Sequence, residues 1–283
     1  MTDVLGNALN DYYHKTSTAK LWVHHRIRDV AAGRGTRRGG AGGARRPGDR
    51  KSAEGNSSED AGYRESAEGN SSEEFGYREE PREKMPVDVF FRDMEQMPEL
   101  EWLALQQCRG RTLDIGAGAG SHALALQKMG QDITALDISP QAVAIMKARG
   151  VKKVFEGDFF RLDLPAKKYD TLLLLMNGIG ISGTLDGLCR FFASARPLLE
   201  SGGQLIFDSS DVAYLYDGKP PKTEGYYGEI FHQYEYRRER SDWFRWLFID
   251  YKTLKKIANQ EGWSVSLLYE DPWEQYLVRC RPQ

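Results

Sequence analysis

The run Leu113-Asp114-Ile115-Gly116-Ala117-Gly118-Ala119-Gly120-Ser121 sets three glycines at alternate positions directly behind a short apolar stretch. Such glycines let a chain turn sharply from strand to helix and let a ligand approach the peptide groups closely. Glycine spacing alone is what a packed turn would also select. The acids around it say more. Asp114 closes the first apolar run, Asp137 closes the second 23 residues later, and Asp158 follows the third in Glu156-Gly157-Asp158-Phe159. Three carboxylates at three strand ends form a negative rim. That rim suits a ligand with hydroxyls and positive charge, and suits the pyrophosphate of a dinucleotide less well. The third glycine also comes one residue too early for G-x-G-x-x-G.

The elements that must hold these residues are legible as alternation. Short apolar runs (residues 112–115, 133–136, 151–155, 170–176 and 204–207) are separated by helix-like segments (121–128, 140–149 and 185–199). Runs too short for helices, alternating with helices, predict an α/β fold with a doubly wound, mostly parallel sheet covered on both faces. Ligands in such a sheet bind at the carboxyl ends of the strands. Residues 5–13 read as a short amphipathic helix and Leu21-Trp22-Val23 as a brief apolar anchor. Residues 87–108 read as helix, divided at Pro98. The stretches 263–268 and 274–280 read as two strands joined by a turn at Asp271-Pro272.

Taken together, the motifs resemble the class I S-adenosylmethionine-dependent methyltransferase family. An acid followed by x-G-x-G-x-G matches Asp114 to Gly120, the acid ending the second strand matches Asp137, a third motif matches Gly157-Asp158-Phe159, and the fourth strand ends in Met176-Asn177-Gly178. The resemblance covers residues 110 to 283. It implies a Rossmann-like seven-stranded sheet, a helical N-terminal cap and S-adenosyl-L-methionine as cofactor. It further implies that the amides of Gly116, Ala117, Gly118 and Gly120 face the methionine part and ribose, with Asp114 on the amino group. Asp137 would accept from both ribose hydroxyls, Ile138 would pack on the adenine, Asp158 and the Phe159 amide would read the adenine edge, and Asn177 would sit near the sulfonium. The fourth motif lacks the N-P-P-Y type of relatives that methylate exocyclic amino or amide nitrogens, because Gly178-Ile179-Gly180 follows Asn177. No catalytic base is assigned. Arg92 is read as a solvated surface residue, with a reach to the methionine carboxylate as the alternative, and His122 as a side chain that covers the site.

Acceptor selectivity is expected from an aromatic insertion near 225–248. Residues 230–236 alternate like a strand and residues 243–248 form a second run, so a hairpin turning near Arg240-Ser241-Asp242 is predicted. Within it His232, Tyr234 and Trp246 would wall a small, partly apolar methyl acceptor. The alternative is that these aromatics only pack the hairpin onto the sheet.

Composition draws the boundaries. Of 283 residues, the 59 from 26 to 84 include only 12 apolar or aromatic ones, seven of them Ala and none Leu. Residues 26–51 carry nine basic and two acidic side chains, and residues 52–84 four basic and ten acidic, with a 14-residue unit repeated in tandem over 52–79. Such a segment cannot offset its ordering entropy and is expected to be a disordered insertion. The organisation that follows is a first cap piece at 1–25, the insertion at 26–84, a second cap piece at 85–108 and the core at 109–283. Deleting 26–84 should then leave cofactor binding nearly unchanged. The arginine-rich segments keep RNA methylation, or a non-catalytic cofactor-binding scaffold, as alternatives, and the formal net charge of −2 disfavours nucleic acid as partner. The longest apolar run, 172–176, is far short of the roughly 20 residues of a membrane span, and no secretory signal is visible. Three cysteines without CxxC spacing predict no metal site and a cytoplasmic setting. The oligomeric state is left open.

Overall fold

The computed structural model describes residues 2–29, 76–161, 168–221 and 225–283. Helix α1 (Val4–His14) and strand β1 (Leu21–Arg28) come first. They are followed by β2 (Tyr77–Glu79), β3 (Glu83–Met85), two 3-10 turns (Val87–Phe91 and Met94–Gln96) and α2 (Glu99–Gln107). The core alternates β4 (Arg111–Ile115), α3 (Ser121–Lys128), β5 (Asp132–Asp137), α4 (Pro140–Arg149), β6 (Val154–Glu156), β7 (Tyr169–Leu174), α5 (Leu185–Ala195) and β8 (Leu199–Ser210). Then come β9 (Glu229–Tyr236), β10 (Glu239–Arg240), β11 (Phe244–Leu247), α6 (Tyr251–Gln260), β12 (Trp263–Glu270) and β13 (Gln275–Pro282).

The central sheet has the order β12-β13-β8-β7-β4-β5-β6. Strands β4 to β8 pair in parallel, and β13 and β12 close the edge antiparallel. This is the doubly wound, mostly parallel α/β sheet that the alternation predicts. Leu113, Leu172, Leu174, Leu205 and Phe207 are fully buried because helices cover both faces. Ser139 caps α4, accepting from Ala142 N at 3.0 Å, Pro140 takes the first helical turn and Gly150 ends it with a left-handed φ of +94°.

A second sheet lies outside that frame and completes the N-terminal cap. Strand β1 runs antiparallel to β9 on one side and to β2 and β3 on the other, and β9 also pairs with β10 and β11. The anchor at 21–23 is thus the start of an eight-residue strand. The insertion boundaries move accordingly: Arg26–Arg28, Tyr77–Glu79 and Glu83–Met85 are ordered strand. The end of the second repeat copy falls in β2, while the first copy and the Arg/Gly block lie outside the described residues. The hairpin turns earlier than expected, at Arg237 and Arg238. Both take positive φ (49° and 70°), which suits a tight two-residue turn and places Glu239 and Arg240 back on the ladder.

Helix α1 ties the two sheets together. Asp3 caps it, accepting from Gly6 N at 2.8 Å, and its other carboxylate oxygen accepts from the Ser139 hydroxyl at the head of α4. At the far end Tyr236 on β9 donates to Asp11 at 2.9 Å. The head of α4 is therefore fastened to the second sheet through one short helix. Among the described residues no helix is long and apolar enough to cross a membrane.

Candidate functional site

The glycine turn leaves β4 with Gly116, Gly118 and Gly120 all at positive φ (75°, 57° and 83°). Only glycine takes these values without strain. At Gly118 a Cβ would lie 3.3 Å from the Phe90 ring, which the cap lays over the turn. Ser121 Oγ donates to the Phe90 carbonyl at 2.8 Å and fixes that cover. Asp137, at the end of β5, accepts from Gly118 N at 2.8 Å with one oxygen and from Ser139 N at 2.9 Å with the other. It thus locks the turn as well as offering its remaining lone pairs outward. Burial pushes the Asp137 carboxyl up, and the two amides oppose that.

Asp114 is 2% exposed, and its Oδ2 has no hydrogen-bond partner. Burial, and to a lesser degree the nearby Asp137 charge, push it up to about 6 against the opposing pull of His122. A buried carboxylate oxygen seeking a donor behind a glycine turn fits the amino group of an aminoacyl ligand. Ile138, beside Asp137, is 68% exposed and offers an apolar surface at the rim. Asp158 stands in the turn after β6, accepting from Phe160 N at 2.9 Å, with the Arg161 guanidinium at 3.4 Å. The Phe159 side chain stacks on Phe191 at 4.9 Å between centroids, so its backbone amide is the group left for a ligand. These observations fit the expected cofactor: hydroxyls to Asp137, an amine to Asp114 and an adenine against Ile138.

At the end of β7 Met176 and Asn177 are both left-handed (φ 62° and 54°), a strained pair of non-glycine residues at a strand end. Asp208 on β8 holds that bend. Its two oxygens each accept from Asn177 N at 3.0 Å, and Oδ2 also accepts from Gln275 Nε2 at 3.0 Å. Burial pushes Asp208 up to about 6 as well. The acid is absent from the sequence reading, although the signal that revealed Asp114 and Asp137, a carboxylate closing an apolar run, is present in Phe207-Asp208.

A second buried network joins the cap to the turn. Glu101 on α2 accepts from Arg92 with Oε1 and from His122 Nε2 at 2.9 Å with Oε2. Arg92 is therefore not a freely solvated surface residue: one terminal nitrogen is bonded to Glu101, and its Nε is buried without a hydrogen-bond partner. His122 is buried one residue into α3, and its surroundings favour the charged form. Its own burial would lower its pKa, but the Glu101 hydrogen bond and then the Asp114 and Glu101 charges raise it.

The inner face of the second sheet lies toward these strand ends. Cross-strand register puts His25, His232 and Phe244 abreast, flanked by Val23 with Tyr234 and by Ile230 with Trp246. Tyr234 lies close enough to Asp137 for that charge, added to burial, to push its hydroxyl up to about 12. Trp246 packs on Gly180, just past Asn177, where any Cβ would collide with the indole. His232 stands between them, its ring stacked on Trp246 at 6.2 Å and edge-on to His25 at 4.5 Å. The three residues singled out in the hairpin thus share one face, and β1 adds His25, which nothing local in the sequence marks.

Comparison with known proteins agrees with this geometry. The methyltransferase-domain family matches residues 113–207, from β4 into β8. Demethylmenaquinone methyltransferase of Tropheryma whipplei (strain Twist) is 33% identical over 99 residues, which are 33% of this chain and 39% of that protein. The aligned part thus spans well under half of the curated relative. The CcbJ methyltransferase of Streptomyces caelestis shares the fold at a TM-score of 0.52 and 16% identity, over 69% of this chain and 95% of that one. A methyltransferase of Bacteroides fragilis, solved with S-adenosyl-L-homocysteine, superposes with a TM-score of 0.73 at 31% identity, over 99% of this chain and 94% of its own. With identity and coverage of that order running through the cap as well as the core, and with a glycine turn and strand-end acids suited to its cofactor, the chain belongs to the S-adenosylmethionine-dependent methyltransferase family.

Proposed function

We propose that this chain transfers the methyl group of S-adenosylmethionine to a small, partly apolar acceptor held between the strand-end acids and the inner face of the second sheet. The observation that carries this reading is the contrast between the two walls. One presents Asp114, Asp137, Asp158 and Asp208; the other presents Val23, His25, Ile230, His232, Tyr234, Phe244 and Trp246, with no charged side chain among them. An apolar wall facing a few placed polar groups is how small-molecule sites are built. The cofactor brings an activated methyl group, so the protein's contribution is to position it in line with the acceptor. Asp114, Asp137, Ile138, Asp158, the Phe159 amide and Asn177 would hold the cofactor. Of the arginines that would serve an RNA, Arg237, Arg238, Arg240 and the Arg/Gly block that begins at Arg26, Arg26 pairs with Glu79, Arg237 with Asp11 and Arg240 with Glu235, while the rest of the block from residue 30 lies outside the described residues. Free cysteines at Cys108, Cys189 and Cys280 accord with a cytoplasmic setting.

The test is transfer of labelled methyl from S-adenosylmethionine into a cell extract separated into metabolites and RNA. Label in the metabolite fraction is expected, and label confined to RNA would overturn the reading. Cofactor binding can be checked without an acceptor. Asp137→Ala should weaken S-adenosylhomocysteine by ~1.5–3 kcal/mol, the scale of hydrogen bonds to a charged group, and isothermal titration reads it directly. The pH dependence has a definite sign. Ionised Asp114 is the form that accepts from an ammonium group, so below about pH 6, where the free protein protonates it, affinity should fall with each unit of pH. Asp114→Asn should remove most of that slope, and a wild-type affinity constant from pH 7.5 to 5 would exclude the role.

A further inference from the structure

We infer that His232 is the general base of this site and that the acceptor presents a hydroxyl group, carried on a flat apolar framework, to its Nε2 atom. The inference rests on the small-molecule reading above and narrows it.

Position comes first. The sheet order sets the Gly116 turn between the ends of β5 and β7. Tyr234 lies near Asp137 at the end of β5, and Trp246 packs on Gly180 beyond the end of β7. His232, between those two side chains on the inner face, therefore faces the middle strand and its glycine turn. Its Nε2 is buried with no hydrogen-bond partner, in a residue only 7% exposed. A buried, unsatisfied ring nitrogen is costly to keep and calls for a donor from outside the chain. The rings around it, Trp246, Phe244 and Phe248 at 5.7–6.2 Å, make walls suited to a planar framework.

The chemistry then selects the donor. Burial, reinforced by His25, lowers His232 to about 3, so it is a neutral acceptor at physiological pH. A methylated amine, with a pKa like the ~10.4 of Lys, would keep its proton against so weak a base and would not need it. An acidic acceptor, a carboxylate or phosphate, would meet the carboxylates opposite and no cation among the residues abreast of His232; Arg78, level with Ile27 on that face, is bonded to Glu80 and to the Leu215 carbonyl. A hydroxyl has the matching need. As its oxygen lone pair forms the new bond to the methyl carbon, the carbon–sulfur bond breaks and its electron pair stays on sulfur as a thioether. The oxygen becomes strongly acidic during this change, and its proton passes to Nε2 while the O–H electron pair remains on oxygen. The imidazolium that results is in contact with His25, which in turn feels the carboxylates of Glu83 on β3 and of Glu80 just past β2. The proton thus has an outward path, and His25 is a positioning residue for it.

The experiment uses the full chain with phenol, catechol and aniline as probes. Isothermal titration with S-adenosylhomocysteine comes first, then labelled methyl transfer, and finally NMR of the ring nitrogens in protein labelled with ¹⁵N-histidine. Phenol or catechol should be methylated. His232→Gln should lower that kcat by ~10²-fold or more, the scale of a positioned base, and change S-adenosylhomocysteine affinity less than threefold. Added imidazole should restore part of the rate to His232→Ala, which a merely structural role would not allow. His25→Gln should lower kcat less and flatten its pH profile. In the wild type the His232 ring should stay neutral at pH 5, and its Nε2 resonance should move when phenol joins the protein loaded with S-adenosylhomocysteine. That measurement decides the matter even where His232→Gln does not fold. Transfer to aniline, or to an extract metabolite at an atom other than a hydroxyl oxygen, without transfer to phenols, or a His232 resonance indifferent to phenol, overturns the base while leaving the small-molecule reading intact. Failure of the wild type to bind S-adenosylhomocysteine overturns both.

Discussion

Glu101→Ala should cost ~3–5 kcal/mol of stability, the usual consequence of removing one partner from a buried ion pair, and should lower the thermal midpoint by about 6–20 °C. Glu101 is 6% exposed and accepts from both Arg92 and His122. Without it, a guanidinium and a buried imidazolium face each other with only Asp114 to answer them. The pH dependence separates this from simple cavity formation. Burial raises Glu101, but the hydrogen bond and charge of His122, then Arg92, outweigh it and hold the carboxyl below its ordinary 4.5. That contribution is full above pH 4.5 and is lost as pH falls through the depressed value. His122 is held above its ordinary 6.5, so its contribution is full below 6.5 and is lost as pH rises through the raised value. Urea unfolding of wild type and variant should therefore differ most between pH 4.5 and 6.5, the difference shrinking below that window as Glu101 protonates and falling above it to what the Arg92 pair alone contributes. A difference below 1 kcal/mol, or one independent of pH, would show that the network is not charged as described. The loss should also reach the ligand site, because His122 stands two residues beyond Gly120 at the start of α3.

What the sequence could and could not reveal follows the range of the interactions. The glycine turn, Asp137 and the bounds of α3 and α4 depend on neighbours within a few residues, and pattern alone located them. Asp208 and Glu101 were legible by the same means. Asp208 repeats the strand-end acid, and Glu101 is a charged residue on the stripe of α2 that also carries Leu100, Ala104 and Leu105. The second sheet is a different case. Strand β1 pairs with β9 some 200 residues away, and β2 and β3 are three residues each, with Met85 and Tyr77 their only large apolar or aromatic members. Their stability comes from the ladder and from Arg82 over Trp22 and Arg28 over Tyr77, which local hydrophobic periodicity does not register. His25 had no signal of its own, since only cross-strand register brings it to His232. The fate of Arg92 likewise depended on a partner nine residues away on another element.

The boundary of the insertion becomes a sharp test once those strands are known. Arg28 pairs with Tyr77, and Asp29 N donates to Gly76 O at 2.6 Å, so the chain ends flanking residues 30–75 already sit side by side. A four-residue turn joining Asp29 to Gly76 would bridge them without moving either strand. Since loop closure costs about 0.6 kcal/mol per doubling of length, removing those 46 residues should leave the fold intact or stabilise it by up to about 2 kcal/mol. Deleting 26–84, the segment that composition marks, should instead be disabling. It takes the last three residues of β1, including the fully buried Ile27, together with all of β2 and the Glu83–Lys84 pairing to β1. Ile27 alone is worth ~1.5–3 kcal/mol in burial, and it packs with Val212, Tyr216 and Ile230 beneath the wall that carries His232. Thermal melts and S-adenosylhomocysteine titrations of the two deletions should therefore diverge, with near wild-type behaviour for 30–75 and loss of the folded state for 26–84. Equal behaviour of the two would mean that the second sheet contributes nothing to the core, and that the ligand site needs only the strand ends of the central one.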